Sequence, residues 1–433
     1  MNKTGTMVKP APADESPNNV VSTSEEFREG GYGWVCVACT AIINAHTWGI
    51  NAAYGVFLSY YLSSDVFPGT SSLDYAFIGG LSIGCAMLIA PLGTILSQRV
   101  SNRLVLNLGA IIQAIALITT SFVKTNWQLF LSQGIAFGFG MGFCFVASVS
   151  VPSYWFAQKR SLANGIASGG SGLGGLIYSL ATEKMLQELG IAWTARILGI
   201  LAFTMNMICG NLLRVPAHAR AARKASKLDL SSLWSLDYFL LLAWAFLSAL
   251  AYVVLLFSLP SYSVAIGLTQ QQGSLAGALL SLGQAIGRPG VGLLSDRWGR
   301  FPVTIVATFL AGFLSLVLWI FADSAGLTYF FAVVVGLFSG TFLAAMSPIT
   351  AEVVGLNGLP PAVGIFCLVL CPPLTVAEPI ALQLRNSSHD SKPYIRVQIF
   401  VGVLYIGAAG FLMTLWLLKI RRSRSAQNAA RVS

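Results

Sequence analysis

Charge is scarce in this chain. Asp, Glu, Lys and Arg make up 10% of its 433 residues and 55% are hydrophobic, whereas an ordinary soluble protein carries about 25% charged residues. With a mean hydropathy of +0.72, most of the surface must be solvated by lipid. The net charge of +10 would suggest a nucleic-acid partner in a soluble protein; here its distribution matters more, and nucleic acid is not expected. Disulfide patterning is missing too. Cys36, Cys39, Cys85, Cys144, Cys209, Cys367 and Cys371 all fall in apolar runs, where a thiolate finds no support. No ATP-binding motif is present and no catalytic groups cluster within the apolar runs, so neither a cofactor, a metal nor an enzyme is expected. Residues 1–33 hold Pro10, Pro12 and Pro17 and no apolar core. They are expected to form a disordered cytoplasmic tail rather than a signal peptide.

What is present is apolar length. Crossing the hydrocarbon of a bilayer takes about 20 residues of helix. Twelve such runs can be found: 34–58, 75–97, 103–123, 127–150, 161–182, 192–213, 237–258, 273–294, 302–322, 327–349, 361–383 and 397–418. The longest internal connection, 214–236, is basic and divides the chain into halves of six, 34–213 and 237–418, with a basic cytoplasmic tail at 419–433. With both termini cytoplasmic, the inner loops, linker and C-terminal tail hold sixteen Lys and Arg and the outer segments six. That asymmetry sets the orientation. It leaves Asn386 of the sequon "NSS" outside, as a candidate glycosylation site. The plasma membrane is the expected location, with the vacuole or another internal membrane as the alternative.

The halves repeat. "LSQRVSN" (96–102) after run two matches "LSDRWGR" (294–300) after run eight at an offset of 198, and "ANGI" (163–166) matches "AVGI" (362–365) at 199. Nearly equal offsets at two distant places indicate pseudo-symmetry. "GLLSDRWGRFP" (292–302) is similar to the signature loop of the major facilitator superfamily. "EGGYGW" (29–34), "YWFAQKRSLANGIASGGSGLGG" (154–175), "GRP" (287–289), "EVVGLNGLPPAVGI" (352–365) and "AEPIAL" (377–382) resemble motifs of its monocarboxylate porter family, most closely the fungal branch. The resemblance implies an all-α membrane protein of twelve transmembrane helices in two six-helix halves. It also implies a charge latch: Asp296, Arg297 and Arg300 at a helix end pair with a neighbouring helix terminus and release when the inner face opens. In the N-terminal copy Gln98 and Ser101 replace the acid and the glycine, so that copy should latch weakly.

One cation lies inside a run. Arg288 is six residues from the end of run eight, roughly 9 Å along a helix. Placing it in a span costs about 2.5–3.5 kcal/mol on insertion scales. It can snorkel towards water or bind a ligand. In the resembling porters the matching arginine binds the substrate carboxylate, for which a planar guanidinium is suited. The animal lactate carriers place an aspartate one turn before it and a lysine in span one. Here those positions are Gln284 and about Ala52, which argues against lactate and leaves proton coupling open. A larger organic anion or polar neutral molecule is expected instead.

Asn44, Trp48 and Asn51 fall at i, i+4 and i+7 in run one, on one helix face, and His46 sits beside them. Substrate contact and interhelical hydrogen bonding both account for the asparagines. For His46, proton carriage and packing are open. Glu378 sits near the outer end of run eleven, where an outer gate, a proton site or simple contact with headgroups are equal readings. Gly134, Gly138 and Gly142, and Gly165 and Gly169, are spaced by four, as close helix packing requires. The expected function is a secondary transporter that moves a small organic anion through the bilayer by alternating access. Efflux of a secondary metabolite is narrowly favoured over import of a carboxylate or vitamin. A receptor built on a transporter fold is disfavoured by the short tails. Oligomeric state is not legible.

Overall fold

A computed structural model describes residues 30–64, 70–216, 235–385 and 392–432. Every regular element among them is helical. In lipid each backbone N–H and C=O must find its partner within the chain, and a helix achieves this segment by segment.

Ten helices among the described residues are long and apolar enough to span a bilayer. The sequence expectation of twelve differs for two reasons. Arg160–Leu212 runs for 53 residues but breaks at Gly190 (φ 71°, ψ 175°), so it crosses twice. Gln270–Trp298 is 29 residues long but its glutamines and Arg288 make it too polar to register as apolar. The helices are therefore α1 Tyr32–Leu58, α2 Leu73–Arg99, α3 Asn102–Thr120, α4 Asn126–Trp155, α5 160–189, α6 191–212, α7 Leu236–Ala265, α8 Gln270–Trp298, α9 Arg300–Phe321, α10 Ala325–Leu356, α11 Gly358–Leu384 and α12 Ile395–Ser425. The break between α10 and α11 at Gly355 (φ 77°, ψ 166°) mirrors Gly190. Both need the left-handed φ that glycine reaches without strain. The sequon residue Asn386 and most of the linker, 217–234, lie outside the described residues.

Packing repeats between the halves. In the first, α1 lies on α5 (Gly170 against Ala41), α2 on α4 (Gly138 against Ser82) and α3 on α6 (Gly199 against Leu117). In the second, α7 packs on α11 (Tyr238 Oη donates to the Ala362 carbonyl), α8 on α10 (Gly283 against Gly336) and α9 on α12 (Gly312 against Gly402). The halves meet where α5 runs along α8 and α2 along α11. At the first contact Gly165 sits against the Arg288 carbonyl, and Gly172 against Ser281 and Ala285. At the second, Gly80 and Gly84 sit against Thr375. The surface is turned inside out relative to a soluble protein. Leu92, Ile115, Ile177 and Phe330 are 54–59% exposed, while Gln113, Asn206, Gln284 and Arg288 are at most 2% exposed.

Two spans depart from α geometry. A π-turn occupies Ala45–Gly49 in α1 and another Phe130–Ala136 in α4; such turns gather at functional sites. The first is braced from outside: Gln113 Nε2 on α3 donates to the His46 carbonyl (2.7 Å) and Gln113 Oε1 accepts from Asn206 Nδ2 on α6 (3.0 Å).

The two ends of the bundle differ. At the end rich in Lys and Arg the halves are tied together. Asp296 Oδ1 and Oδ2 accept the backbone N–H groups of Ser161 (2.9 Å) and Leu162 (2.8 Å) in the first turn of α5. This anchors a carboxylate on a helix N-terminus, where the dipole favours negative charge. Arg300 donates to the Ala157 carbonyl (3.1 Å) and Ser161 Oγ (3.2 Å), and lies 3.6 Å from Glu352 and 3.9 Å from Asp296. Ser153 Oγ and Ser347 Oγ, 2.8 Å apart, add a tie between α4 and α10. Arg297 is exposed and stands apart from these bonds. The N-terminal copy works differently, with Ser101 Oγ capping the first turn of α3 through Leu104 N–H. At the opposite end a cavity of about 400 Å³ opens between α1, α5, α7 and α8, with Val56, Ser179, Pro260 and Gly273 on its walls.

Candidate substrate site

The site is built around one guanidinium. Arg288 is 1% exposed, so the snorkelling reading fails: its fork runs sideways into the bundle rather than towards the basic end. Nη1 donates to the Ser168 carbonyl (2.8 Å) and to Ser171 Oγ, both on α5. Nη2 donates to Gln284 Oε1 (2.6 Å) and Tyr252 Oη (3.3 Å), and the Tyr252 hydroxyl donates to the same Gln284 oxygen (3.0 Å). The arginine thus spans the halves, with α5 on one side and α7 and α8 on the other. Gly340 on α10 makes room for it, because a Cβ there would stand 2.6 Å from Nε.

What is missing is a counter-ion. No ion pair among the described residues includes Arg288. Serine, tyrosine and glutamine oxygens solvate the cation without neutralising it, and an unpaired charge at this depth is costly. Three buried donor groups close by also lack an acceptor among the described residues: Arg288 Nε, Gln284 Nε2 and Trp48 Nε1. A place with surplus positive charge and surplus donors is suited to an anion.

Two cavities flank the arginine. One, of about 20 Å³, is lined by Trp48, Asn51, Phe145, Tyr252, Gln284 and Phe342 among others. It shares Ala52, Leu256 and Ser281 with the wide opening at the less basic end. The other, also about 20 Å³, lies towards the basic end and includes Asn44, Asn164 and Arg288 itself. Trp48, Phe145, Ser171 and Leu343 line both. Each has room for about one water molecule, so the helices close tightly round the arginine in this conformation and a small molecule enters only as they part.

The residues singled out from sequence separate here. Arg288, Gln284, Trp48, Asn51 and Asn44 all line this axial space. The two asparagines do so with their amides engaged: Asn44 Nδ2 donates to the Ala167 carbonyl (2.9 Å) and Asn51 Nδ2 to Ser82 Oγ (2.7 Å). They bond to different neighbours, α5 and α2, because the π-turn between them alters the register of a plain helical face. His46 lines neither cavity. Its ring packs edge-on against Tyr178 (5.7 Å) and Nδ1 lies 2.8 Å from the Ile42 carbonyl. Glu378 is 5% exposed, with Oε2 unpartnered among the described residues; this burial removes the headgroup reading. Sequence reasoning missed Ser171, Tyr252, Gly340 and Phe342. Only the spacing of Tyr252 and Phe342 from the halves' starts, on the first and fourth helix of the second half, could have hinted at them.

A twelve-legged bundle in two like halves, with a buried cation between them, defines a membrane transporter. The chain belongs to the Major Facilitator Superfamily, whose model matches residues 36–373. It is 34% identical over 406 residues to the probable transporter MCH2 of Saccharomyces cerevisiae, covering 93% of this chain and 85% of that protein. It is 28% identical to the agnestins efflux protein AgnL12 of Paecilomyces divaricatus (84% and 83% covered). It is 25% identical to monocarboxylate transporter 10 of Danio rerio (94% and 83%). It is a transporter and not an enzyme.

Proposed function

We propose that the protein is a secondary active transporter in which Arg288 anchors an organic anion midway between the halves. The observation that carries this reading is a guanidinium 1% exposed, without a carboxylate partner among the described residues, beside buried donors that lack acceptors. Alternating access is supported by the difference between the ends: the basic end is tied by Asp296 and Arg300 while the other end is open. Transport requires those ties to break as the open end closes. Efflux of a metabolite is favoured, supported by likeness to a protein named for agnestins efflux; carboxylate import is the second reading, supported by likeness to a monocarboxylate transporter. Asymmetry of Lys and Arg favours both termini in the cytoplasm and the plasma membrane as the location. Glu378, buried with an oxygen unpartnered among the described residues, is the proposed proton carrier; His46, with Nδ1 on the Ile42 carbonyl, is the second candidate.

The test is exchange of radiolabelled monocarboxylates in proteoliposomes holding the wild type, Arg288→Ala and Arg288→Lys. Both variants should reach the membrane. Alanine should abolish exchange, and lysine should lose most of it because a point charge cannot span Ser168, Ser171 and Gln284 together. Full exchange by Arg288→Ala would overturn the proposal.

A further inference from the structure

The walls of the central cavity say more about the cargo than its anchor does. Each half contributes an aromatic pair. Trp48 on α1 and Phe145 on α4 meet edge to face with ring centroids 5.4 Å apart at 79°. Tyr252 on α7 and Phe342 on α10 do the same at 5.4 Å and 66°. The two pairs sit on corresponding helices, the first and fourth of each half, and all four rings line the cavity next to Gln284. Met87 and Met346, one from each half, complete the wall; their flexible thioethers adapt to the edges of rings.

The charges are as informative. Among the residues lining the two cavities beside Arg288 there is no Asp, Glu, Lys or His. An ammonium group placed there would meet no carboxylate, and a second carboxylate would meet no second cation. Either would be buried unpaired, which is costly. A small hydroxy acid satisfies the anchor but is too short to reach the four rings.

We propose that the cargo is a monoanionic aromatic carboxylate: one carboxylate held at Arg288 and Gln284, and a planar apolar body between the Trp48–Phe145 and Tyr252–Phe342 pairs, with no amino group. This rests on the reading of Arg288 as the anion anchor. It adds that zwitterionic aromatic amino acids, dicarboxylates and short hydroxy acids are rejected. The aromatic body accounts for the rejection of short acids, since burying a ring of 150 Å² or more favours binding by at least about tenfold.

The probes are indole-3-acetate, L-tryptophan, L-lactate and succinate, each measured by counterflow in proteoliposomes, which reports on carriers working in either direction. Indole-3-acetate should exchange at least about tenfold faster than each of the others at equal low concentration. Phe145→Leu and Phe342→Leu should raise its KM by about two- to tenfold, the range for losing an aromatic contact. Equal exchange of lactate, tryptophan or succinate overturns the proposal, as does failure to carry indole-3-acetate while another probe is carried. In those cases the Arg288→Ala variant tells the two levels apart: if it stops exchange of the probe that is carried, the anchor stands and only the aromatic slot falls. If wild-type selectivity is as expected but both leucine variants keep the wild-type KM, the slot is likewise overturned. Wild-type selectivity is read without any substitution, so misfolding of a variant does not shield the proposal.

Discussion

Asp296→Asn is the sharpest test of how the basic end is held shut. The carboxylate accepts two backbone N–H groups from the first turn of α5, at 2.9 and 2.8 Å. An asparagine at this place keeps one acceptor oxygen and presents an NH2 to the second backbone donor. One charge-assisted bond is lost, about 1.5–3 kcal/mol, together with the attraction between charge and helix dipole, about 0.3–1 kcal/mol. The closed state should weaken by about 2–4 kcal/mol, which moves the closed-to-open ratio by roughly 30-fold to nearly a thousandfold at about 1.4 kcal/mol per decade. Ser347 offers a reporter. It is 1% exposed and lies 2.8 Å from Ser153 across the closed end. In a Ser347→Cys background, an impermeant maleimide applied to the basic face should label the Asp296→Asn protein far faster than its parent, up to the limit set by the reagent. Asp296→Asn without Ser347→Cys measures any labelling of the native cysteines. Labelling rates within twofold of each other, with protein abundance unchanged, would refute the idea that Asp296 holds the halves together.

Gly165→Val should abolish exchange and lower thermal stability, because even a Cβ at 165 meets the Arg288 carbonyl and the Pro289 Cα; overpacking of this kind costs about 1–3 kcal/mol, read as a lower Tm. Gln113→Leu leaves the His46 carbonyl and the Asn206 amide without partners. That should cost about 1–3 kcal/mol for each group left unpaired, measured by thermal unfolding in detergent. Glu378→Gln mimics the protonated carboxyl, so substrate exchange should persist while accumulation driven by an imposed pH gradient disappears; accumulation at the wild-type level would remove Glu378 from the coupling path.

Much of this was readable in the chain because lipid imposes length and polarity rules that operate locally. Runs of about 20 apolar residues, a cation stranded within one of them, and an Asp and an Arg at a helix end each carry their meaning in a few neighbouring positions. What stayed hidden depends on which way a helix is turned. Tyr252 and Phe342 sit in strongly apolar helices where lipid and cavity exposure look alike in sequence, and only the packing of α7 and α10 turns them inward. Glu352 joins the latch through Arg300 from 52 positions away, a pairing that no local pattern announces. His46 shows the complementary limit. A polar residue in a span invites a functional reading, and no sequence pattern tells that its ring meets Tyr178 and that Nδ1 lies on the Ile42 carbonyl of its own helix. Arg288 stands out in the sequence because no carboxylate lies near it in its own run, and no ion pair among the described residues includes it.

The π-turn at Ala45–Gly49 has a consequence for chain length. A π-turn holds one residue more than an α-turn. Loss of a residue almost anywhere else in a spanning helix rotates every later side chain by about 100° relative to its neighbours. Loss of one residue between 45 and 49 would instead convert the bulge into regular helix and leave Cys36 and Tyr54 on their original faces. The residues within the turn, Trp48 among them, would change their aim. A one-residue gap opened here when related chains are compared would thus mark a difference in how the helix presents its indole, and relatives lacking the extra residue should differ in cargo while keeping the same bundle.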